Sequence, residues 1–141
     1  MDVPIKDAYE GGRRGVAKGD EPSQPARTHW RVVERFANAA LLEVTLETGR
    51  QHQVRIHLAH IGLPVLGDSR YGRDAASKPV RTRRDRAPRQ MLHAQKLAFV
   101  HPLTGTKVEV LSTLPPDFLE AIAALRATAS KPTRTRGPRR P

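Results

Sequence analysis

The chain has 141 residues, no cysteine and a formal net charge of +11 at pH 7. That length fits one domain with a modest core, and the lack of cysteine excludes disulfides and thiolate catalysis. No apolar run approaches the roughly 18 residues that a membrane span needs. Because the N-terminus carries charges and Pro4 where a secretory signal has its apolar core, we expect a cytoplasmic protein.

The positive charge is concentrated in two segments. Residues 73–90 and 128–141 each carry a net charge of +5, whereas the other parts of the chain are nearly neutral. This distribution suits a polyanion, and RNA or DNA is the commonest one. The alternative for residues 73–90 is a solvated insertion that has no partner. The sequence predicts a basic loop over 73–90 and a disordered basic tail over 128–141.

The N-terminal part predicts an arm followed by a pair of strands. Residues 1–26 are rich in glycine, proline and charge without periodicity, so we expect a loop or weakly ordered arm in which nothing could be buried at a low free-energy cost. Residues 28–36 and 41–47 are typical of strands, and apolar residues alternate with polar ones in the second. A turn at residues 37–39 would join them as an antiparallel pair.

A short helix is predicted after the second strand. Thr48 and Gln51 have the spacing of a capping box, in which each side chain bonds an orphan amide near the helix start. Residues 62–64 contain a glycine and a proline that would end the helix. The apolar side chains expected to pack on the sheet, at helical spacing, are Val54, Leu58 and Ile61.

The C-terminal part predicts a second hairpin and a final helix. Residues 91–100 and 107–111 read as strands joined by turn chemistry at 101–105. Pro115 and Pro116 would open a helix with a packing stripe formed by Phe118, Leu119, Ile122 and Leu125. The predicted class is α+β: a mixed, mainly antiparallel sheet with one short helix packed on it and a C-terminal helix.

Two arginines lie at the predicted strand-to-helix junction. Arg50 and Arg55 come early in the helix, where the macrodipole opposes a cation. An arginine in that place is easier to explain if an anion, either a carboxylate or a phosphate, is brought to it. The alternative is a surface arginine paired with Glu47 or Asp68. The residues alone leave both interpretations open.

The sequence offers few residues for a metal site, a phosphate-binding loop or a serine nucleophile. His52, His57 and His60 all fall on the predicted helix, but His52 points away from His57 at about 100° per residue. No cysteine or convergent carboxylate completes a metal-ligand set, and no phosphate-binding glycine loop or serine nucleophile elbow occurs. Trp30 and Tyr71 are the only plausible base stackers, and we expect Trp30 to pack in the core. We expect no metal and no cofactor.

One long motif gives the chain a family resemblance. Residues 47–58, ETGRQHQVRIHL, resemble the TGRxHQ(I/V)RxHL motif of the RluA-type RNA pseudouridine synthases. The resemblance continues through 61–72, with the pattern IGxPxxGDxxYG, and through 92–105, which ends in HPLTG. Upstream, residues 26–34 resemble the family's AxTxYRVLE strand, and residues 2–5 resemble its lead-in segment. The likeness covers most of the chain, and a dozen residues at fixed spacing are highly specific.

The resemblance implies a cofactor-free isomerase that acts on uridine within folded ribosomal or transfer RNA after flipping the base out. In this family a catalytic aspartate attacks the nucleoside, the glycosidic C–N bond breaks, the uracil turns over and a C–C bond forms. Arg55 matches the active-site arginine that keeps this aspartate ionised and oriented. The residues predicted to bind RNA are Arg50, Gln51, His52, Arg70, Tyr71, Arg81, Arg83, Arg84, Arg86 and Arg89.

The chain also departs from the family pattern. The family's nucleophile lies in an HRLDxxTSG motif and its active-site tyrosine on a KxYxAxV strand, and neither motif occurs here. None of the seven aspartates has the nucleophile's context, and Asp68 corresponds to the GD turn. Residues 27–127 therefore resemble the C-terminal part of a synthase catalytic domain. Such a part would expose a sheet edge and an apolar face.

Three hypotheses follow from the match and the departure. The first is an RNA pseudouridine synthase present as a fragment, which is inactive alone because the nucleophile is missing. The second is a non-catalytic basic RNA-binding protein derived from the same scaffold. The third is a split enzyme completed by another chain that supplies the N-terminal half.

Overall fold

The computed structural model describes residues 1–7, 13–72 and 87–129. The elements are β1 Ile5–Lys6, β2 Ser23–Gln24, β3 Thr28–Arg35, β4 Ala40–Leu46, α1 Gln53–His60, β5 Lys96–Val100, β6 Lys107–Leu111 and α2 Pro116–Ala129. The strands form three two-stranded antiparallel sheets, β1–β2, β3–β4 and β5–β6. This confirms the predicted α+β class. Neither helix in these ranges has the length and apolar content that crossing a membrane requires.

The hairpin of β3 and β4 confirms the first predicted strand pair. Trp30 lies opposite Val44, and the register shifts at a bulge between Val32 and Glu34. Directly after the bulge, the Glu34 carboxylate accepts two hydrogen bonds from Arg126 of α2, at 2.8 and 2.6 Å. The expectation that Trp30 packs in the core is wrong, because its side chain is exposed in a shallow surface depression on this hairpin.

The N-terminal segment packs against the fold more closely than its composition suggests. Ile5 and Ala26 are both buried and belong to the core. The backbone amide of Val3 donates to the carbonyl of Ala26 at 3.1 Å, and that of Thr28 donates to the carbonyl of Met1 at 2.8 Å. The expectation that nothing in this segment could be buried at a low free-energy cost did not anticipate this, because backbone pairing with the residues before β3 holds Ile5 in the core. The domain division at residue 26 stays a prediction.

Helix α1 begins later than the sequence predicts. Its first residue is Gln53, and its N-cap is His52, which has a left-handed φ of 59° and makes no side-chain cap hydrogen bond. The Thr48 hydroxyl instead accepts from the backbone amide of Arg27 at 2.8 Å and donates to the side-chain oxygen of Gln53 at 2.9 Å. The predicted capping box is wrong, because this hydroxyl joins the helix to the segment before β3.

The buried face of α1 is more polar than predicted. Its buried residues are Gln53, Ile56, His57 and Leu58. Only Leu58 of the predicted stripe is among them, whereas Val54 is half-buried and Ile61 is exposed. The helix end agrees with the prediction: Gly62 has a φ of +76° and donates to the carbonyl of Ala59 at 3.0 Å. Such a left-handed glycine is a common helix terminator.

The C-terminal hairpin and helix are confirmed, but strand β5 is shorter than predicted and one of the residues predicted to form the packing stripe of α2 is exposed. Strand β5 begins at Lys96 rather than at residue 91, and the backbone amide of Met91 donates to the carbonyl of Leu66 at 2.7 Å. Met91 thus pairs with the turn that precedes it, whereas the carbonyl of Gln95 still accepts from the backbone amide of Ser112 at 2.8 Å, next to the paired strands. In α2, Ile122 is buried as predicted, but Leu119 is exposed.

Two glycines with the same backbone conformation provide a matched stability test. Gly62 and Gly67 have φ angles of +76° and +75°, but an added Cβ would meet nothing within 4 Å at Gly62 and would lie 2.0 Å from the carbonyl oxygen of Arg89 at Gly67. We expect Gly62→Ala to lower the free energy of unfolding by about 1–2 kcal/mol, the usual cost of a left-handed alanine. Gly67→Ala should cost clearly more, because backbone must move. Urea denaturation measures both, and equal losses would contradict the close approach.

Candidate active site

Arg55 of helix α1 is held by a carboxylate of its own chain. Its Nε donates to Oδ2 of Asp68 at 2.7 Å, and its Nη2 donates to Oδ1 at 2.8 Å. The side chains of Arg55 and Asp68 are only 13% and 0% exposed. Of the interpretations that the sequence leaves open, pairing with Asp68 is therefore observed, although within a largely buried pair rather than at the surface. A two-bond arrangement of this kind fixes the orientation of the guanidinium plane.

The carboxylate of Asp68 accepts hydrogen bonds from its own turn as well as from Arg55. Besides Arg55, its Oδ1 accepts from the backbone amides of Arg70 and Tyr71, both at 2.9 Å. Burial opposes the charged form, but the hydrogen bonds from Arg55 and from these two amides hold the pKa of Asp68 below its ordinary value. Asp68 thus acts as a fixed anion in the turn, and its bonds leave it poorly placed as a nucleophile.

Tyr71 supports the face of the same guanidinium. The Cζ atom of Arg55 lies 5.0 Å from the centroid of the Tyr71 ring, a distance at which a cation is attracted to an aromatic face. The hydroxyl of Tyr71 is 3.1 Å from Nδ1 of His52, and the two rings meet edge to face at 5.6 Å. Asp68 therefore fixes one edge of Arg55, Tyr71 supports its face, and His52 positions Tyr71.

One edge of Arg55 has no partner among the residues that the structure describes. A guanidinium has five N–H donors, and the two bonds to Asp68 use only Nε and one hydrogen of Nη2. Nη1 has no acceptor within residues 1–7, 13–72 and 87–129. This edge can bind a second anion while the first holds the guanidinium in place.

The surroundings of Arg55 are electropositive. Burial lowers the pKa of His52, and the positive charges of Arg55, Arg70 and Arg14 lower it further. The imidazole is therefore neutral near pH 7, and its environment disfavours additional positive charge. The hydrogen bonds from Arg55 to Asp68 raise the pKa of Arg55, so the guanidinium keeps its charge. Such a site attracts anions.

The side-chain amide of Gln53 joins the start of α1 to the start of β3 by hydrogen bonds. Its side-chain oxygen accepts from the Thr48 hydroxyl and from the Arg50 amide, both at 2.9 Å. Its side-chain nitrogen donates to the carbonyl of Arg27 and to the Thr28 hydroxyl, both at 3.0 Å. All four hydrogen-bonding positions of the amide are therefore used. This places Arg55, two residues later, in a defined position relative to β3.

The imidazole of His57 joins the other side of α1 to the N-terminal segment by a hydrogen bond. Its Nε2 lies 2.9 Å from the carbonyl of Val3, which can only accept, so this nitrogen carries the proton. Nδ1 then accepts from the Thr28 hydroxyl at 2.8 Å. The local residue pattern singles out His57 only as a possible metal ligand and gives no signal for the role of Gln53. Within the described ranges, no three histidine, cysteine or acidic side chains are placed to hold a metal ion.

Comparisons with known proteins agree with this geometry. A family model for RNA pseudouridylate synthases matches residues 3–60. Ribosomal large subunit pseudouridine synthase D of Pasteurella multocida is 46% identical over 110 residues, which are 74% of this chain and 34% of that protein. An uncharacterized RNA pseudouridine synthase of Chloroflexus aurantiacus is 44% identical over 131 residues, 92% of this chain and 38% of that protein. The chain belongs to the RluA-type RNA pseudouridine synthase family. It spans about a third of the length of the curated relatives it matches.

Solved pseudouridine synthase structures share this fold. The structure of human RNA pseudouridylate synthase domain containing 4 aligns with a TM-score of 0.68 and 25% identity, covering 89% of this chain and 55% of that one. For human RNA pseudouridylate synthase domain containing 1, the TM-score is 0.64 at 27% identity, with coverage of 93% and 60%. In both cases a large part of the synthase lies beyond the region that this chain matches.

The structure brings three of the predicted RNA-binding residues together around Arg55, namely His52, Arg70 and Tyr71. Gln51 and Arg70 are exposed, and His52 is half-buried. Arg50 is half-buried, and its Nε donates to the carbonyl of Pro25 at 3.1 Å. Tyr71 is buried beneath Arg55, an arrangement that suits support of the guanidinium better than stacking on a base. RNA contact by each of these residues stays a prediction.

Of the remaining predicted RNA-binding residues, one is paired with helix α2 and four lie outside the described ranges. Arg89 donates from Nε and Nη2 to the Asp117 carboxylate at 2.7 and 2.9 Å, which connects the end of the basic segment to α2. Four further residues lie outside the described part of the chain, namely Arg81, Arg83, Arg84 and Arg86. Their contact with RNA, like the pairing of Arg55 with a nucleophile, also stays a prediction.

Proposed function

We propose that this chain forms the C-terminal part of the catalytic domain of an enzyme that isomerises uridine to pseudouridine in ribosomal or transfer RNA. The observation that supports this most directly is the state of Arg55. Its guanidinium is fixed by Asp68 and Tyr71 and has an unpaired Nη1 edge among the described residues. The relative named for the large ribosomal subunit makes ribosomal RNA the first substrate to test.

The geometry suits the role of holding a second carboxylate. Charge-assisted hydrogen bonds from the open edge of Arg55 would orient that carboxylate and keep it ionised. An ionised and oriented carboxylate can attack the nucleoside as a nucleophile. The glycosidic C–N bond then breaks, the uracil turns over, and a C–C bond forms while the proton at C5 is released. The net reaction is an isomerisation, so no oxidant or reductant is consumed.

The carboxylate itself would come from outside this chain. Asp68 is occupied by its own turn, and no HRLD segment occurs in the sequence. We therefore propose that a polypeptide bearing the HRLD nucleophile completes the site, either as a preceding part of the same protein or as a separate chain. We also place the protein in the cytoplasm, where its RNA substrates would be encountered.

The test uses RNA that carries tritium at C5 of uracil. The chain alone should release no tritium above background. Adding the portion of the Pasteurella multocida relative that this chain does not match should restore release. Arg55→Lys should abolish the restored release, because lysine cannot bond two carboxylates in one plane.

Arg31→Lys is the matched control. Arg31 also donates two bonds to a carboxylate, that of Glu43, but both side chains are exposed on the β3–β4 hairpin. This variant should keep the restored activity. Release by the unmixed chain would contradict the proposal that the nucleophile is external. Release that survives Arg55→Lys would contradict the role of Arg55.

A non-catalytic RNA-binding protein built on the same scaffold is the second candidate, and the net charge of +11 together with the missing motif favours it. Under this alternative the chain binds RNA with an affinity that falls steeply with salt, and no complementing polypeptide restores tritium release. RNA binding alone therefore does not separate the two candidates, whereas the mixing experiment does.

A further inference from the structure

The β5–β6 hairpin has one apolar face. Leu97 lies opposite Val110, and Phe99 lies opposite Val108. Since side chains alternate along a strand, these four share one face, here called the hairpin face. Leu97, Val110 and Phe99 are 60%, 53% and 43% exposed. Val108 is half-buried. A cluster of apolar side chains with three exposed members is typical of a surface that another element covers.

The opposite face of the same hairpin is different. Lys96 forms a 2.8 Å ion pair with Glu109, and Val100 lies opposite Lys107. That face carries three charged residues, Lys96, Lys107 and Glu109, beside Ala98, Val100 and Leu111, whereas the hairpin face carries no charge. An antiparallel sheet with one dry and one wet face normally packs its dry face on a core, and a two-stranded ribbon alone is only marginally stable in water.

The chain offers little of its own to cover the hairpin face. The sequence outside the described ranges, residues 8–12, 73–86 and 130–141, contains only two large apolar or aromatic residues, Tyr9 and Val80. A second copy is a poor occupant, because two chains of net charge +11 repel each other. The occupant should therefore be a different polypeptide surface with apolar side chains.

The relatives indicate where such a surface could come from. This chain matches only 34% and 38% of the two curated synthases, and 55% and 60% of the two solved ones. We propose that the hairpin face is the docking surface for the polypeptide that carries the HRLD nucleophile. This inference rests on the proposed function, because it locates the partner that the site around Arg55 requires.

The experiment measures binding, not activity. The probe is the portion of the Pasteurella multocida relative that this chain does not match, titrated with the chain by isothermal titration calorimetry. Phe99→Glu and Val110→Glu should each weaken binding by about 30-fold, since an aromatic or apolar anchor at an interface centre commonly has this weight. Far-UV circular dichroism of each variant shows whether the hairpin and helices are retained.

Two controls separate the hairpin face from general effects of a new charge. Val100→Glu places the same charge on the opposite face of the same strand, at a residue that is 66% exposed, and Leu103→Glu places it in the turn, at a residue that is 91% exposed. Both should bind the probe with nearly unchanged affinity. The inference is overturned if the controls weaken binding as much as Phe99→Glu does, if no variant weakens it, or if the probe does not bind.

The outcomes also separate this inference from the proposed function. Face-dependent binding without tritium release would support the docking surface and reject the catalytic proposal. Restored tritium release that is insensitive to Phe99→Glu and Val110→Glu would support the catalytic proposal and reject the docking surface. Self-association of the chain that Phe99→Glu abolishes would overturn the inference, because the occupant would then be a second copy.

Discussion

Asp68→Asn is expected to lower the free energy of unfolding by about 3–5 kcal/mol, the range observed when one partner of a buried ion pair is removed. The substitution leaves the charge of Arg55 in a site where the side chain is 13% exposed. It also weakens the acceptor for the backbone amides of Arg70 and Tyr71. Both effects act on the turn that supports the guanidinium.

Urea denaturation at pH 7, followed by circular dichroism, measures this loss. Glu43→Gln is the control, because it removes an arginine–carboxylate pair with the same two-bond geometry at the surface, where the side chains of Arg31 and Glu43 are 68% and 50% exposed. Exposed pairs contribute little, so the midpoint should hardly move. Similar losses of unfolding free energy in Asp68→Asn and Glu43→Gln would show that burial of the Arg55–Asp68 pair does not increase its contribution to stability.

The free energy of unfolding is also expected to fall as the pH drops below 6.5. Burial lowers the pKa of His57 below its ordinary 6.5, and the nearby N-terminal ammonium and His60 lower it further, against the opposing effects of the Val3 carbonyl and Asp2. Between the folded pKa and 6.5, the unfolded chain therefore binds a proton that the folded chain does not bind. Stability decreases across that window, by at most about 1.4 kcal/mol per pH unit for one group.

Urea midpoints at pH 7.5, 6.5 and 5.5 measure the effect. His57→Gln should give a shallower pH dependence, because glutamine does not titrate. His60→Gln, at an exposed position one turn along the same helix, removes only one of the groups that lower the pKa of His57, so it should change the slope less than His57→Gln does. The burial of His52 and its arginine neighbours also lower the pKa of His52, so part of the slope should remain in His57→Gln. An unchanged slope in His57→Gln would contradict the assignment.

The sequence predicted the features that depend on local patterns. The alternation of apolar and polar residues predicted the β3–β4 hairpin. Gly62 predicted the end of α1, because glycine adopts the left-handed conformation that is common at a helix terminus. The strand pair around the turn at residues 101–105 was also found, although β5 proved shorter because Met91 bonds Leu66 instead of a facing strand.

The missed features depend on residues that are distant in the sequence. The Thr48 hydroxyl fits a capping box locally, but Arg27, 21 positions earlier, takes it as an acceptor. No local pattern predicts the burial of Gln53 and His57, whose polar atoms are satisfied in the interior by Thr28 and the N-terminal segment. Whether Arg55 meets Asp68 depends on the path of the intervening glycine turn, and periodicity carries no information on that path.

The way the first residues enter the core affects how deletion experiments on this protein should be read. Removing residues 1–7 would take away the Ile5 side chain and the carbonyl that His57 bonds, so it would loosen the helix that carries Arg55. A shortened chain that no longer binds RNA would therefore not identify those residues as an RNA contact. A single charge reversal at an exposed position, such as Lys18, leaves the interior intact and tests RNA contact at that position alone.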